Sequence, residues 1–541
     1  MADTAIMESI ELSQRKRTAT PASPTLPTSS SDWSGQSTSL LEENLVLDHG
    51  HTDEATSLSL SQLSPVDRKN FFILTLLYLL QGIPVGLAFG SIPYLLKSNL
   101  SYTQIGVFSF ASYPYSLKVL WSPVVDAIYS RSFGRRKSWI VPIQFVSAFV
   151  LIILGSVIEP YMEDAENQLI TITFFFFILV FLCATQDIAV DGWGLTLLTH
   201  AALPYASTAQ TIGLNTGYFT SFTVFLAFNS PDFANKYFRV VPSDDGLVSL
   251  SGYLKFWGVV YLITTTLVGL FKTEEKSKSD GDGGIASVYK TMFQVLKLKN
   301  IQILIFIHLI AKIGFQASEG ATNLKLLDKG LSKEDLALTV LIDFPFEIIF
   351  GYYAAKWSTG KDPLQPWILA YLARLGCALL SMFLVMLFPS DGAGSGYLLM
   401  IIIVHVLGSF ASTIQFVSIN AFHTQIADPI IGGTYMTILN TICNLGGQWP
   451  KIIVLSGIDW YTEATCSAVS AATGDVETFS CASNAGKKQC TDIGGQCNIS
   501  KDGYYVMNVL CILVGLTLFF GYIKSRMQQL QRLPLSSWRV D

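Results

Sequence analysis

From residue 68 onward the chain alternates between apolar blocks of about twenty residues and short polar stretches. Helices of that length cross about 30 Å of hydrocarbon. Within the blocks, polar positions do not recur at the helical or strand period that a water-soluble core imposes. The pattern predicts spans near 70–96, 102–126, 138–158, 169–195, 205–228 and 253–272. Six more follow near 300–322, 334–357, 365–388, 396–424, 431–457 and 504–524. Pro84, Pro114 and Pro345 fall inside spans, where neighbouring helices can satisfy the backbone groups that proline frees. The expectation is an all-α membrane protein of about twelve transmembrane helices. They form two six-helix bundles, 68–272 and 300–524, joined by a charged cytosolic linker over 273–299.

Composition agrees. Half of the 541 residues are apolar and only 14% are charged, against about 25% in ordinary soluble domains. The net charge of −5 sits in loops and tails, and no basic stretch with interleaved aromatics suggests nucleic-acid binding. Residues 1–67 are polar and rich in Ser and Thr, a composition that cannot bury enough apolar surface to fold alone. They read as a disordered cytosolic tail without a signal-peptide core, so the first span serves as targeting signal. A second tail covers 525–541.

Loop charge orients the spans. The loop after span two holds Arg131, Arg135, Arg136 and Lys137 without an acid, which marks it cytosolic. The next loop holds Glu159, Glu163, Asp164 and Glu166 without a base, and alternation then puts both termini in the cytosol. The glycosylation sequons at Asn99 and Asn498 fall in loops assigned to the lumenal side, where alone they are usable. The last lumenal loop, 458–503, gathers Cys466, Cys481, Cys490 and Cys497. An oxidising lumen favours two disulfides in one of three connectivities over a zinc site, for which CxxC spacing and histidines are missing. No metal or cofactor is expected.

Charges inside the spans are the candidate chemistry, because an intramembrane charge is costly and faces a partner or a cavity. Asp187 and Asp191 lie four apart on one face of span four. The shallower Asp191 is expected to pair with Arg135 or Arg136 in a cytosolic gate that includes Asp126. The deeper Asp187 is expected to face the cavity, beside Gln186, and to be able to exchange a proton. Gate or packing pairs for both acids are the alternative. Lys118 and Lys312 are candidate anion-binding groups; Glu319, on a similar face of span seven, is an internal partner for Lys312. Arg374 is expected to pair with Asp343 or Glu347. Asn440, Asn444 and Gln448 recur every four residues in span eleven, as interhelix hydrogen-bonding groups or as a polar cavity wall. Gln81 stands beside the Gly82–Pro84 kink as hinge or lining. His405 and His423 in span ten have no Asn or Asp beside them in sequence to activate a base, which disfavours an intramembrane acyltransferase.

Six spans, a charged stretch and six spans is the layout of the major facilitator class, whose bundles rock around a central site. Asp126 followed by Gly134-Arg135-Arg136-Lys137 resembles its cytosolic loop signature, with a stretched gap. A more specific likeness runs from about 68 to 524. Leu80–Pro84, Ser116–Asp126, Phe133–Trp139, Ala184–Trp193 and Phe256–Gly258 carry it in the first half. Ala311–Phe315, Asp428–Thr437 and Asp502–Tyr505 carry it in the second. These segments resemble the acetyl-coenzyme A transporter family of the endoplasmic reticulum membrane. The resemblance implies import of acetyl-CoA into the lumen, where acetyltransferases consume it. Lys118 and Lys312 would then meet the phosphates, and the span-eleven amides the pantetheine arm. A peptide-like cargo is the alternative, because bacterial muropeptide permeases share the Gln-Gly-Ile/Phe-Pro and Gln-Asp-Ile-Ala patterns. A ligand-binding regulator that does not transport is a further one.

Overall fold

The computed structural model describes residues 63–199, 202, 205–272, 274, 285–358, 362–389, 392–427, 432–469 and 476–539. The tail expected over 1–67 lies, apart from its last residues, outside them. Twelve long helices run through the described residues. The first six are α1 (Pro65–Leu96), α2 (102–127), α3 (Lys137–Glu163), α4 (Ala165–Leu197), α5 (205–229) and α6 (Leu250–Phe271). The second six are α7 (Lys299–Asp328), α8 (Lys333–Trp357), α9 (Gln365–Met386), α10 (Ser395–Ile426), α11 (Gly432–Tyr461) and α12 (Gly503–Leu530). Each overlaps one of the twelve expected spans. Their starts follow local chemistry: Ser64 caps Asp67 N ahead of Pro65, and Ser101 and Gln104 form a capping box on α2. Asp502 caps α12.

Among the described residues, eight helices are long and apolar enough to cross a membrane on composition alone: α1, α3, α4, α6, α7, α9, α10 and α12. The other four, α2, α5, α8 and α11, are the ones that meet across the halves: α2 packs on α11, and α5 on α8. A helix that faces protein or a polar interior can carry Lys118, Asp343 or Asn444 where a lipid-facing one cannot. The halves are tied at one end, where Lys97 pairs with Asp328 at 2.8 Å and Tyr102 OH donates to Asp328 at 2.9 Å. There Asp459 accepts from the backbone N–H of Tyr102 and Thr103.

Inside the first half, α1 and α5 pack backbone to backbone through glycines. A Cβ on Gly217 would stand 2.2 Å from the Leu79 carbonyl, and one on Gly82 2.4 Å from that of Leu214. Small residues replace a hydrophobic driving force between helices in lipid. Gly217→Ala is therefore expected to cost about 1–3 kcal/mol of overpacking, read as a lower melting midpoint in detergent. Gly376→Ala in α9, with nothing within 4 Å of the new atom, is the neutral control.

Two features add to the twelve expected spans. The linker contains an amphipathic helix, Ile285–Lys297, that buries Met292 and Val295 and donates Tyr289 OH to the Leu120 carbonyl. The cysteine-rich loop folds into a three-stranded antiparallel sheet of β1 (Glu463–Val469), β2 (Val476–Ser480) and β3 (Gln496–Lys501), ordered β2-β1-β3. Its core is only Ala464, Cys466, Cys481 and Cys490. So small a core needs covalent help, and Cys466–Cys490 and Cys481–Cys497 supply it. Cys183, Cys377, Cys443 and Cys511 are free. Maleimide labelling of the unfolded, unreduced protein is expected to mark these four and, after reduction, all eight. The sheet, both sequons and the Lys97–Asp328 tie share one end; the Arg131–Lys137 loop lies at the other. Asn498 is exposed on β3 and Asn99 at the α1–α2 turn. The C-terminal segment packs back on the helices through buried Trp538, whose carbonyl accepts from Tyr435 OH at 2.9 Å.

Candidate functional site

Lys118 and Lys312 both stand at breaks in their helices. Helix α2 turns to 3₁₀ geometry over Lys118–Leu120, and α7 does so over Lys312–Phe315. Mid-helix 3₁₀ turns mark hinges or strained sequence. At the α7 break, Gly314 and Gly515 of α12 approach so closely that a Cβ on either would meet the other's Cα within 2.8 Å.

The two lysines differ in their surroundings. Lys118 pairs with Asp187 of α4, whose other oxygen accepts from Gln81 Nε2 at 2.6 Å. Gln81 also donates to Tyr115 OH. One turn further on, Asp191 accepts from Tyr78 OH at 2.7 Å and Gln210 Nε2 at 3.0 Å. Gln186 is buried and donates to the Leu77 carbonyl of α1 at 3.1 Å. These groups form a closed polar knot across α1, α2, α4 and α5. Lys312, in contrast, has no hydrogen-bond or ion-pair partner among the described residues and lies against Gly447 of α11. It lines a cavity of about 220 Å³ with His308, Glu319, Arg374 and Gln415. A second cavity, of about 320 Å³ between α7, α8, α9 and α10, shares Phe315, Glu319, Arg374 and Ser412 with the first.

Arg374 stands where the two cavities meet. Its guanidinium pairs with Glu319, donates to Gln415 Oε1 at 2.5 Å and covers the Phe315 ring at 3.7 Å. Asp343 lies instead 3.5 Å from His405, and Glu347 accepts from Ser409 at 3.4 Å. The ladder on α11 divides. Asn440 meets His423 Nδ1 at 3.1 Å, and His423 Nε2 meets His308 Nε2 at 2.9 Å. Gln448 accepts from Ser112 of α2 at 2.8 Å, which joins the halves. Asn444 is exposed and has no hydrogen-bond partner among the described residues. One turn beyond Gln448, Lys451 is half-buried, within electrostatic reach of Glu319.

At the end opposite the sheet, the Glu274 carboxylate accepts from the backbone N–H of Arg136 and Lys137 at 3.0–3.1 Å. Lys137 Nζ donates to the Gly269 and Lys272 carbonyls. This cap ties the start of α3 to the end of α6. Gly134 permits the turn with φ of 106°. The Arg136 guanidinium lies against Gly192, where a Cβ would come within 2.2 Å of its central carbon.

The family model for "Acetyl-coenzyme A transporter 1" matches residues 70–282 and 275–540. The chain belongs to the acetyl-coenzyme A transporter 1 family. An uncharacterised membrane protein of Saccharomyces cerevisiae is 47% identical over 556 residues, covering 88% of this chain and 98% of that protein. An uncharacterised protein of Schizosaccharomyces pombe is 42% identical over 478 residues, covering 88% and 90%. A putative AmpG 4 transporter of Rickettsia conorii is 31% identical over 153 residues, 27% of this chain and 35% of that protein. Among solved structures, a bacterial homologue of the human lysosomal transporter Spinster, inward-facing and unoccupied, superposes with a TM-score of 0.57 at 13% identity, covering 88% and 99%. The nucleoside transporter NupG superposes with 0.57 at 12% identity, covering 86% and 100%. The fold is that of the major facilitators, and the family and its structural neighbours are transporters, not enzymes.

Several pairings in this acetyl-coenzyme A transporter family member differ from those expected. Arg374 takes Glu319 rather than Asp343 or Glu347, which leaves Lys312 without the internal partner proposed for it. Asp191 accepts from Tyr78 and Gln210, and the Arg136 guanidinium lies against the neighbouring Gly192, within electrostatic reach of Asp191. The Asp126 side chain lies outside the described residues, and Arg135 and Arg136 have interactions beyond those described. His405 and His423, isolated in sequence, receive Asp343 and Asn440 through the fold. Lys451 and Glu274 were missed. A lysine one turn past Gln448 in a span already called polar was the available signal for the first; nothing local marks the second.

Proposed function

We propose that this transporter carries acetyl-CoA from the cytosol into the endoplasmic reticulum lumen, by alternating exposure of a site between its halves. The Lys312 ammonium, which has no hydrogen-bond or ion-pair partner among the described residues, is the observation that carries the reading. A cation held at membrane depth without a carboxylate calls for an anionic ligand, and family membership supplies the candidate. In this reading the diphosphate and ribose phosphate meet Lys312 and Lys451, with Arg374 available when Glu319 gives way. Asn444 is the amide open to the pantetheine arm. Lys118, Asp187, Gln81 and Gln186 act as the knot that keeps α1, α2 and α4 in register, and enter the cavity only if that knot opens. Asn440 and Gln448 position α11 against α10 and α2. Asp126, Arg135, Arg136 and Asp191 form the cytosolic gate, with Arg136 seated on Gly192.

The sheet end is then lumenal, with both termini cytosolic, and lumenal acetyltransferases use the delivered acetyl-CoA. Sealed reticulum vesicles from cells overproducing the chain are expected to accumulate acetyl-CoA in saturable fashion. Protease added outside is expected to remove an N-terminal epitope while sparing the disulfide-bonded loop. A peptide-like cargo, suggested by the partial AmpG match, predicts muropeptide uptake instead. Vesicles that take up muropeptide but not acetyl-CoA would sink the proposal.

A further inference from the structure

The 320 Å³ cavity contains a group of ionisable side chains that the anion-binding reading leaves unused. Asp343 on α8 places Oδ2 3.5 Å from His405 Nε2 of α10. Its Oδ1 is buried without a hydrogen-bond partner among the described residues. Glu347, one turn along α8 and exposed, lines the same cavity and accepts from Ser409 at 3.4 Å. The other titratable groups facing this space are Glu319 of α7 and Arg374 and Cys377 of α9. Tyr218 of α5 lies within electrostatic reach of Glu347 across the seam between the halves. Arg374 is committed to Glu319, Gln415 and the Phe315 face.

Two carboxyls one helical turn apart thus share one imidazole and no guanidinium. Asp343 is buried and Glu347 is exposed toward the cavity, so a proton taken up on the unpaired Asp343 oxygen turns an acceptor-only group into one that can also donate. No group of three or more His, Cys, Asp or Glu among the described residues is placed to hold a metal ion. We propose that Asp343, His405 and Glu347 form a proton-binding site, and that its loading is coupled to the movement of the halves.

The coupling has a physical route. Glu347 sits on the helix that meets α5, so the charge of the cluster lies beside one of the two seams that must open and close. A seam that closes over the cluster excludes water, and an unneutralised carboxylate then costs more. Protonation removes that cost and favours the closed seam. Arg374 and Glu319 border both the proton cavity and the Lys312 cavity. An anion that draws Arg374 away from Glu319 alters the field at Asp343, and so links cargo to proton.

One test needs no cargo. Infrared difference spectra of the purified protein between acidic and alkaline pH are expected to show a protonated-carboxyl band that Asp343→Asn removes or shifts. An unchanged band overturns the site, whatever the cargo proves to be. The coupling test rests on the acetyl-CoA reading. In proteoliposomes, one imposed pH unit is expected to change wild-type accumulation about tenfold per coupled proton. Asp343→Asn is expected to abolish that response while exchange of labelled for unlabelled acetyl-CoA stays within about twofold, a difference under 1 kcal/mol. Active exchange with no gradient response in the wild type, or a full response in Asp343→Asn, would overturn the coupling. Absence of any acetyl-CoA exchange would count against the cargo alone, and the infrared result would still decide the site.

Discussion

Lys312→Ala is expected to reduce acetyl-CoA uptake by about 10- to 100-fold, the loss of one charge-assisted contact of about 1.5–3 kcal/mol. The folded protein is expected to become no less stable. The two effects have opposite signs for a stated reason. An ammonium at membrane depth costs about 2.5–3.5 kcal/mol on insertion scales, and no partner among the described residues offsets it here. Removing it relieves the empty protein and deprives the anion of its counter-charge. A packing lysine would behave otherwise, with melting point and uptake falling together. Lys312→Arg retains the charge on a bulkier head against Gly447, so partial rescue is expected. Melting in detergent and uptake kinetics on the same preparation check both halves of the prediction.

At Lys118 the opposite pattern is expected. Either Lys118→Ala or Asp187→Asn strands a buried charge, at a cost of about 3–5 kcal/mol, because the pair is almost closed from solvent, with 15% and 3% of the side chains exposed. The double variant Lys118→Met, Asp187→Leu removes both charges and leaves Gln81 its bond to Tyr115. Its melting point is expected to return to or above that of the wild type, since replacing a buried ion pair with apolar residues of similar size is often neutral or stabilising. A double variant no more stable than the singles would show that the two charges do not form one unit. A stable Lys118→Ala protein that has lost uptake would return Lys118 to the substrate-binding candidates.

These two lysines show where sequence reading works and where it stops. Their presence in spans, the loop charges beside them and the twelve apolar blocks were all readable, because length and hydrophobicity decide what crosses a bilayer. Which acid each lysine would meet was not. Pairing depends on the rotation of a helix about its axis, and a helix apolar on every face carries little amphipathic signal of that rotation. Lys312 and Glu319 share a similar face of α7, yet the break over Lys312–Phe315 separates them, and Glu319 turns to Arg374 of α9. Asp191 also accepts from Tyr78 and Gln210, polar groups without a charge to advertise the match. The cysteines pointed to two disulfides, but their connectivity required the sheet that places Cys466 opposite Cys497 while bonding it to Cys490.

The central claim is that a polyanion crosses intact through the space between the halves. Purified protein in liposomes, offered acetyl-CoA labelled on both the acetyl group and the adenine, tests it most directly. The account predicts saturable entry of the two labels in equal ratio, lost in Lys312→Ala. Entry of the acetyl label alone would mean group transfer across the membrane, and binding without entry of either label would mean a receptor; each would contradict the account.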